Sequence, residues 1–417
     1  MAPVLDLQAG TSVQEIEEMK KPHILITIHY MELGGAESSL IGLLKSIDYN
    51  KIDVDLFIHA HHGELMQLIP AEVNILPEVK KYSVLEIPII DCLKRGFLDV
   101  AISRVLAKFR RKRYLRHHQG ISTDDDYFFS HYTTWLLPRI NPSVEYDLAI
   151  SFLTPHRIVL DKVRAKMKVA WIHTDYKTLR IAKDLILHEW EKYDRIVSIS
   201  KDVSTGFLSA FPVLSDKIIE IENVISSEMV KERSTLVDVT HEMPSGYINL
   251  LSVGRFSYPK NYDNVPDIAR RIVEAGYTKL KWYIVGYGGD ETIVRDKIAD
   301  AGMQDHVILL GKKENPYPYI KACDIYVQPS RYEGKSIVVR EAQILCKPVV
   351  ITNYNTARSQ VQDGVDGIIV PMDNEGCARG IMSVIENKEL QRRLSEYLSC
   401  HDYGNENEVN KIYSLLS

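Results

Sequence analysis

The chain has 417 residues, with 51 Lys and Arg against 56 Asp and Glu, a formal charge of −5, 45% apolar residues and 26% charged residues. At ~150 residues per domain this length predicts two or three domains, each able to bury its own core. The balance excludes a disordered, collagen-like or coiled-coil chain, and its mild acidity gives no global reason to expect a nucleic-acid partner.

Residues 1–20 are polar and lack the basic start and long apolar core of a secretory signal, so they are read as a leader. The first strand is expected at 23–28, a continuous β-rich run, followed by a Gly34-Gly35 turn and an amphipathic stretch over 37–47. Further strands are expected at 55–58, 146–151, 168–172, 195–199 and 217–221. Between the expected strands at 55–58 and 146–151 lies 94–118, a strongly basic segment in which Ile102, Val105, Leu106 and Phe109 recur at helical spacing. Such a helix either packs on its own domain with the bases in water or lies on an anionic membrane.

Residues 226–247 are polar, carry Pro244 and Gly246, and read as an inter-domain connection. A second set of strands is expected at 248–253, 281–285, 306–310, 324–328, 348–351 and 367–370. The segment 396–417 is expected to be a C-terminal helix that packs back on either domain. Short, fully apolar strands separated by helices signal parallel sheets covered on both faces. The expected fold is therefore α/β: two Rossmann-like, doubly wound parallel-sheet domains, at 21–225 and 248–395, facing a central cleft. Ligands of such sheets bind beyond the carboxyl ends of the strands.

Four strand ends carry candidate chemistry. The loop and helix at 329–346 hold Glu333, exposed ahead of the helix and able to grip a polyol, and Glu341, inside an apolar helix. A buried carboxylate needs a partner, either a salt bridge to Arg340 or Arg358, or ligand hydroxyls such as those of a ribose. Ser336 is the expected N-cap, and the amides of Lys335, Ser336 and Ile337 form a helix N-terminus suited to an anion. After the strand at 248–253, Gly254 permits a tight turn, and Arg255 and Lys260 suit a diphosphate, although solvated surface charge is the plainer reading. Gly34 and Gly35 could let the backbone approach a phosphate. His173, at another strand end, is a candidate hydrogen-bond donor to a sugar.

Three features are read as decoys. The acidic run at 123–126 imitates a D-x-D metal motif but follows no apolar strand. His59, His61 and His62 lack a carboxylate or cysteine at ligand spacing. Gly286, Gly288 and Gly289 approach a dinucleotide fingerprint, but Glu291 stands where its last glycine belongs. Five scattered cysteines (Cys92, Cys323, Cys346, Cys377 and Cys400) include no C-x-x-C, which argues against a disulfide framework or zinc site and for a reducing compartment.

Glu333 and Glu341 form an E-x7-E pair. With Gly254-Arg255 through Lys260, Gly34-Gly35 and the Pro329-Ser330 entry, the chain resembles glycosyltransferase family 4, retaining enzymes of GT-B fold. The resemblance covers about residues 21–390 and is strongest over 250–370. It implies that Arg255 and Lys260 hold the donor's diphosphate, with Gly254 in their loop and Gly34 and Gly35 approaching from the other domain. It further implies Glu333 on the donor sugar, Glu341 on the ribose, the amides of Ser336 and Ile337 on sugar and phosphate, Lys312 beside the base, and His173 near the sugar's 6-position. Where the family commonly has Gly-Phe-Gly, this chain has Gly334-Lys335-Ser336, so Lys335 is expected to alter specificity or add charge near the leaving group.

The implied activity is transfer of a hexose-type sugar, with retention, to a saccharide or lipid-linked acceptor in bacterial polysaccharide or glycolipid synthesis. No cofactor and no metal are expected. The co-substrate is a nucleotide sugar, with a UDP-sugar favoured over a GDP-sugar. The expected location is cytoplasmic, with residues 94–118 as the point of contact if the protein is peripheral on the inner face of the plasma membrane. The alternatives are a GT-B epimerase acting on a nucleotide sugar and a catalytically silent sugar-nucleotide binding protein.

Overall fold

The computed structural model describes residues 21–118, 125–174, 176 and 179–416. The leader at 1–20 and the carboxylates of the 123–126 run lie outside the described residues.

Thirteen strands form two sheets among the described residues. The first holds β1 (His23–Ile28), β2 (Asp53–Ile58), β3 (Asn74–Ile75), β4 (Tyr146–Ser151), β5 (Ala165–Ile172), β6 (Arg195–Ser198) and β7 (Ile218–Glu220), in the order β3-β2-β1-β4-β5-β6-β7. The second holds β8 (Ile248–Val253), β9 (Leu280–Val285), β10 (Val307–Gly311), β11 (Ile325–Gln328), β12 (Val349–Thr352) and β13 (Ile368–Val370), in the order β10-β9-β8-β11-β12-β13. Every pairing is parallel.

Helices cover both faces of the sheets, so the central strands are apolar throughout rather than alternating. Ile24, Leu25 and Ile26 of β1 have no exposed surface, and Ile26 lies between Leu56 and Ile150 of the flanking strands. The order of each sheet reverses once, between β1 and β4 in the first lobe and between β8 and β11 in the second. A reversal leaves a crevice at the carboxyl ends of the two central strands. Here the two crevices face each other, and this positions the site.

The connection at 226–247 contains a helix, Ser227–Arg233, whose Met229 and Val230 are buried. Beyond the helix Lys388–Ser399, the chain returns to the first lobe through a 3₁₀ turn, Glu406–Glu408, and a short helix, Val409–Tyr413. There the backbone N–H groups of Asp48, Glu222 and Ile225 donate to the Tyr413 hydroxyl, the Glu408 carboxylate and the Asn405 side chain at 2.7, 2.8 and 2.9 Å. No helix among the described residues is long and apolar enough to cross a membrane.

Candidate functional site

The two crevices merge into an interlobe cleft of about 540 Å³. Gly34, Gly35 and His173 of the first lobe line it, as do Gly254, Arg255, Lys260, Lys312, Glu333, Lys335, Ser336, Ile337 and Glu341 of the second. All twelve residues singled out in the sequence therefore meet in one cavity.

The loop after β8 carries the cations. Lys260 Nζ lies 2.7 Å from Glu333 Oε1, and both side chains are largely buried. Gln328 Nε2 and Ser330 Oγ donate to the same carboxylate oxygen at 2.8 and 2.6 Å. Three donors on Oε1 fix the carboxylate's orientation and leave Oε2 without a protein hydrogen bond among the described residues. Arg255 is exposed to the cleft and has no carboxylate partner among the described residues.

The close approach of the Gly286 loop supports this turn. A side chain on Gly286, whose φ is +154°, would put Cβ 1.9 Å from the Gly254 carbonyl oxygen. Gly286 and Gly288 of that apparent dinucleotide fingerprint are thus explained by backbone packing, whereas a Cβ on Gly289 would meet nothing within 4 Å.

Glu341 projects from the helix Ile337–Ile344 and is buried. The salt bridge considered from sequence is absent: Arg340 turns instead toward Glu222, at 3.7 Å, and Tyr317 donates its hydroxyl to Glu341 Oε1 at 2.9 Å. Burial raises the carboxyl pKa to about 7, against the smaller pulls of the Tyr317 hydrogen bond and the Arg233 charge. The group is poised to ionise when further donors reach it.

At the start of this helix the sequence expectation needs two corrections. Ser336 holds the N-cap position, but its hydroxyl makes no capping bond and is buried without a partner. Its backbone N–H donates to Gln360 Oε1 at 3.2 Å, so this amide is already engaged. Lys335 Nζ reaches across the lobes to Glu222 Oε1, at 2.5 Å. The extra charge of the Gly-Lys-Ser variation is therefore paired in this conformation. Lys312 makes a second cross-lobe ion pair, to Glu64, and lies over the Tyr287 ring at 4.8 Å.

On the first lobe, the Glu37 carboxylate folds back over Gly34, where a Cβ would stand 2.1 Å from Glu37 Oε2. A side chain at this position would need the flexible Glu37 carboxylate to swing aside. Burial raises the Glu37 pKa. Gly35 faces the second lobe, with Ile337 Cδ1 3.7 Å from the position its Cβ would take. The two helix N-termini thus meet across the cleft.

His173 Nε2–H donates to the Phe152 carbonyl at 3.0 Å, and Nδ1 is buried without a partner beside Asn223, whose side-chain oxygen is also unpaired. Desolvation lowers the ring's pKa to about 4, so it is neutral at ordinary pH. With its N–H committed, the free nitrogen can only accept a hydrogen bond, which reverses the donor role expected from sequence.

Glu37, Glu64, Asn223, Tyr287, Tyr317 and Gln360 were not assigned roles from sequence. Only Glu37 had a local signal, its place in the glycine turn. In the His59–His62 loop, His59 is buried against the rings of His29 and Tyr82. Among the described residues no three His, Cys, Asp or Glu side chains converge on a metal position.

Residues 238–399 match the family model described as glycosyl transferases group 1. The chain is 25% identical over 370 residues to the N-acetylgalactosamine-N,N'-diacetylbacillosaminyl-diphospho-undecaprenol 4-alpha-N-acetylgalactosaminyltransferase of Campylobacter jejuni, covering 88% of this chain and 91% of that protein. It is 26% identical over 148 residues to the lipopolysaccharide core biosynthesis glycosyltransferase LpsE of Rhizobium meliloti, covering 35% of this chain and 42% of that one. Among solved structures, HepE of Anabaena in complex with UDP-glucose superposes with a TM-score of 0.65 at 17% identity, covering 94% of this chain and 98% of that one. The second lobe of this chain thus matches the group 1 glycosyl transferase model, and the whole chain has the GT-B fold.

Proposed function

We propose that this protein is a retaining glycosyltransferase that moves a hexose-type sugar from a nucleoside diphosphate sugar, a UDP-sugar by preference, to a saccharide or lipid-linked acceptor in bacterial polysaccharide or glycolipid synthesis. The observation that carries this reading is the convergence of Arg255, Lys260, Glu333 and Glu341 where two facing sheets open, within a lobe that matches a glycosyltransferase family. Two of the likenesses support its finer parts: the Campylobacter protein's name specifies a diphospho-undecaprenol-linked acceptor, and the Anabaena structure contains UDP-glucose.

Negative charge builds on the β-phosphate as the glycosidic bond breaks. Arg255 and Lys260 meet that charge in a preorganised site, where fixed charges stabilise a transition state more than they could in water. Lys260, seated beside Glu333, couples the phosphate to the group that holds the sugar hydroxyls. Glu341 accepts the ribose hydroxyls, and His173 Nδ1 accepts from a hydroxyl of the donor sugar. The acceptor attacks on the face from which the phosphate departs, the phosphate takes the proton, and configuration is retained. The chain's own cations neutralise the leaving group, and turnover needs no added metal.

The test is a thermal-shift panel of nucleoside diphosphates and their sugars. A single nucleotide class should raise Tm, and by about 3 kcal/mol of stabilisation at a hundredfold excess over Kd. Equal and negligible shifts with every nucleotide would overturn the reading.

A further inference from the structure

The basic segment at 94–118 contains a helix, Leu98–His117, that among the described residues is held to the first lobe along one side. Val100, Ala101 and Ala107 are buried, and Arg104 Nη1 donates to the carbonyls of Ile87 and Val84 at 2.5 and 3.2 Å. The opposite side is a continuous outward stripe. In its first three turns the stripe is apolar: Leu98, Ile102 and Phe109 are 60%, 66% and 62% exposed, with Val105 and Leu106 beside them. In its last two turns it is basic: Lys112, Arg113 and Arg116 are exposed and have no carboxylate partner among the described residues. Among the described residues, the packing of this apolar stripe on its own domain, left open by the sequence, does not occur.

The segment 94–118 contains nine Lys and Arg against one acid, a local charge of +8 in a chain of −5. Five large apolar side chains facing water along one helix make a contiguous patch of the kind that marks an interaction surface. We propose that the outward face of Leu98–His117 docks the protein on an anionic bilayer. Leu98, Ile102, Val105, Leu106 and Phe109 enter the headgroup–acyl boundary, and Lys112, Arg113 and Arg116 lie among lipid phosphates.

Charge chooses the occupant. A symmetric contact with a second copy would bring two such basic faces together in an isologous interface, where like charges repel. An anionic leaflet offers apolar depth and negative charge in the same plane, which is what a helix with an apolar face and a basic face requires. The rigid attachment through Arg104 means that docking needs no refolding of the helix. Ile90, on the preceding helix Ile89–Lys94, is 58% exposed and adds to the apolar surface of this region.

The experiment is co-sedimentation of the full chain with vesicles of phosphatidylcholine alone and of phosphatidylcholine with phosphatidylglycerol. Binding should be strong only with the anionic vesicles and should fall steeply at about 0.5 M salt, where charges are screened within a few ångströms. Two variants separate the parts: I102S with F109S, and K112Q with R113Q and R116Q. Each should lower vesicle affinity by about tenfold or more, while far-UV circular dichroism, Tm and the thermal response to UDP stay as in the parent. Retained nucleotide response with lost vesicle binding distinguishes this inference from the transferase reading. Equal binding to neutral and anionic vesicles, no binding to either, or undiminished binding by both variants overturns the proposal. So does a dimer in sedimentation equilibrium that dissociates on F109S, since the face would then belong to a second copy.

Discussion

Lys260 Nζ sits 2.7 Å from Glu333 Oε1, where it links the group proposed to hold phosphate to the group proposed to hold sugar hydroxyls. Glu333 is held by Gln328 and Ser330 as well, so its orientation does not depend on the lysine alone. Replacing Lys260 by Ala leaves a largely buried carboxylate without its counter-charge, which costs on the order of 1–3 kcal/mol. Replacing exposed Arg255 removes no such partner and should change stability by less than about 0.5 kcal/mol. Both should lower kcat by about 100-fold or more through loss of charge stabilisation. Steady-state kinetics with thermal denaturation checks this: near-normal turnover in both variants contradicts the phosphate assignment.

Glu341 gives a pH signature. Its pKa is raised to about 7 in the folded protein, so the fold favours the neutral acid. That stabilisation is complete below the unfolded value of ~4.5 and is lost as pH rises through about 7, an effect of up to roughly 3 kcal/mol. E341Q keeps the Tyr317 hydrogen bond and carries no charge, so it should be more stable than the parent at pH 8 and not at pH 4. Hydroxyl donors from a ribose favour the carboxylate, so nucleotide binding near pH 6.5 should release a proton from Glu341. Calorimetry in buffers of different ionisation enthalpy measures this. The parent should release more protons than E341Q, and equal proton counts contradict the ribose role.

His173 should give no such break. Burial holds it near 4, so its neutral form contributes stability above the unfolded value of ~6.5, which is lost as pH falls toward 4. Activity between pH 5 and 8 should show no titration of this ring. A donor lacking the 6-hydroxyl should lose about tenfold in kcat/KM with the parent and little further with H173A. A parent indifferent to that hydroxyl contradicts the acceptor role of Nδ1.

Lys335 and Glu222 tie the lobes together at 2.5 Å, with Glu222 partly exposed. A pair of this kind is worth on the order of 1 kcal/mol and is screened by salt. E222Q should therefore raise the donor KM by about fivefold in low salt and by much less in high salt. A KM unaffected at low salt shows that the pair does not hold the binding-competent closure.

Much of this architecture was legible because the central strands are buried on both faces and read as unbroken apolar runs. The two-residue edge strand β3 escaped notice because Asn74 is exposed and only Ile75 packs inward. The helix Ser227–Arg233 was concealed by a polar composition in which only Ser227, Met229 and Val230 are buried. The site was readable at strand ends, where glycine, cations and acids break the apolar pattern. Its internal partners were not, because they are set by packing across the fold: Tyr317 on Glu341, Gln360 on Ser336 and Glu222 on Lys335 come from other elements and, for Glu222, from the other lobe. That neutral His173 presents Nδ1 as an acceptor follows only from the Phe152 carbonyl taking its N–H.

Metal dependence offers a further check. If Arg255 and Lys260 supply the neutralising charge, kcat should be unchanged within about twofold by chelation with EDTA and by added magnesium. Loss of turnover on chelation, restored by a divalent ion, would contradict metal-independent departure of the nucleotide.

The most direct measurement is a crystal structure of the chain with UDP. The expected result places the diphosphate within about 3 Å of Arg255 and Lys260 and the ribose hydroxyls on Glu341. A nucleotide bound outside the interlobe cleft, or one whose ribose leaves Glu341 joined only to Tyr317, would contradict it.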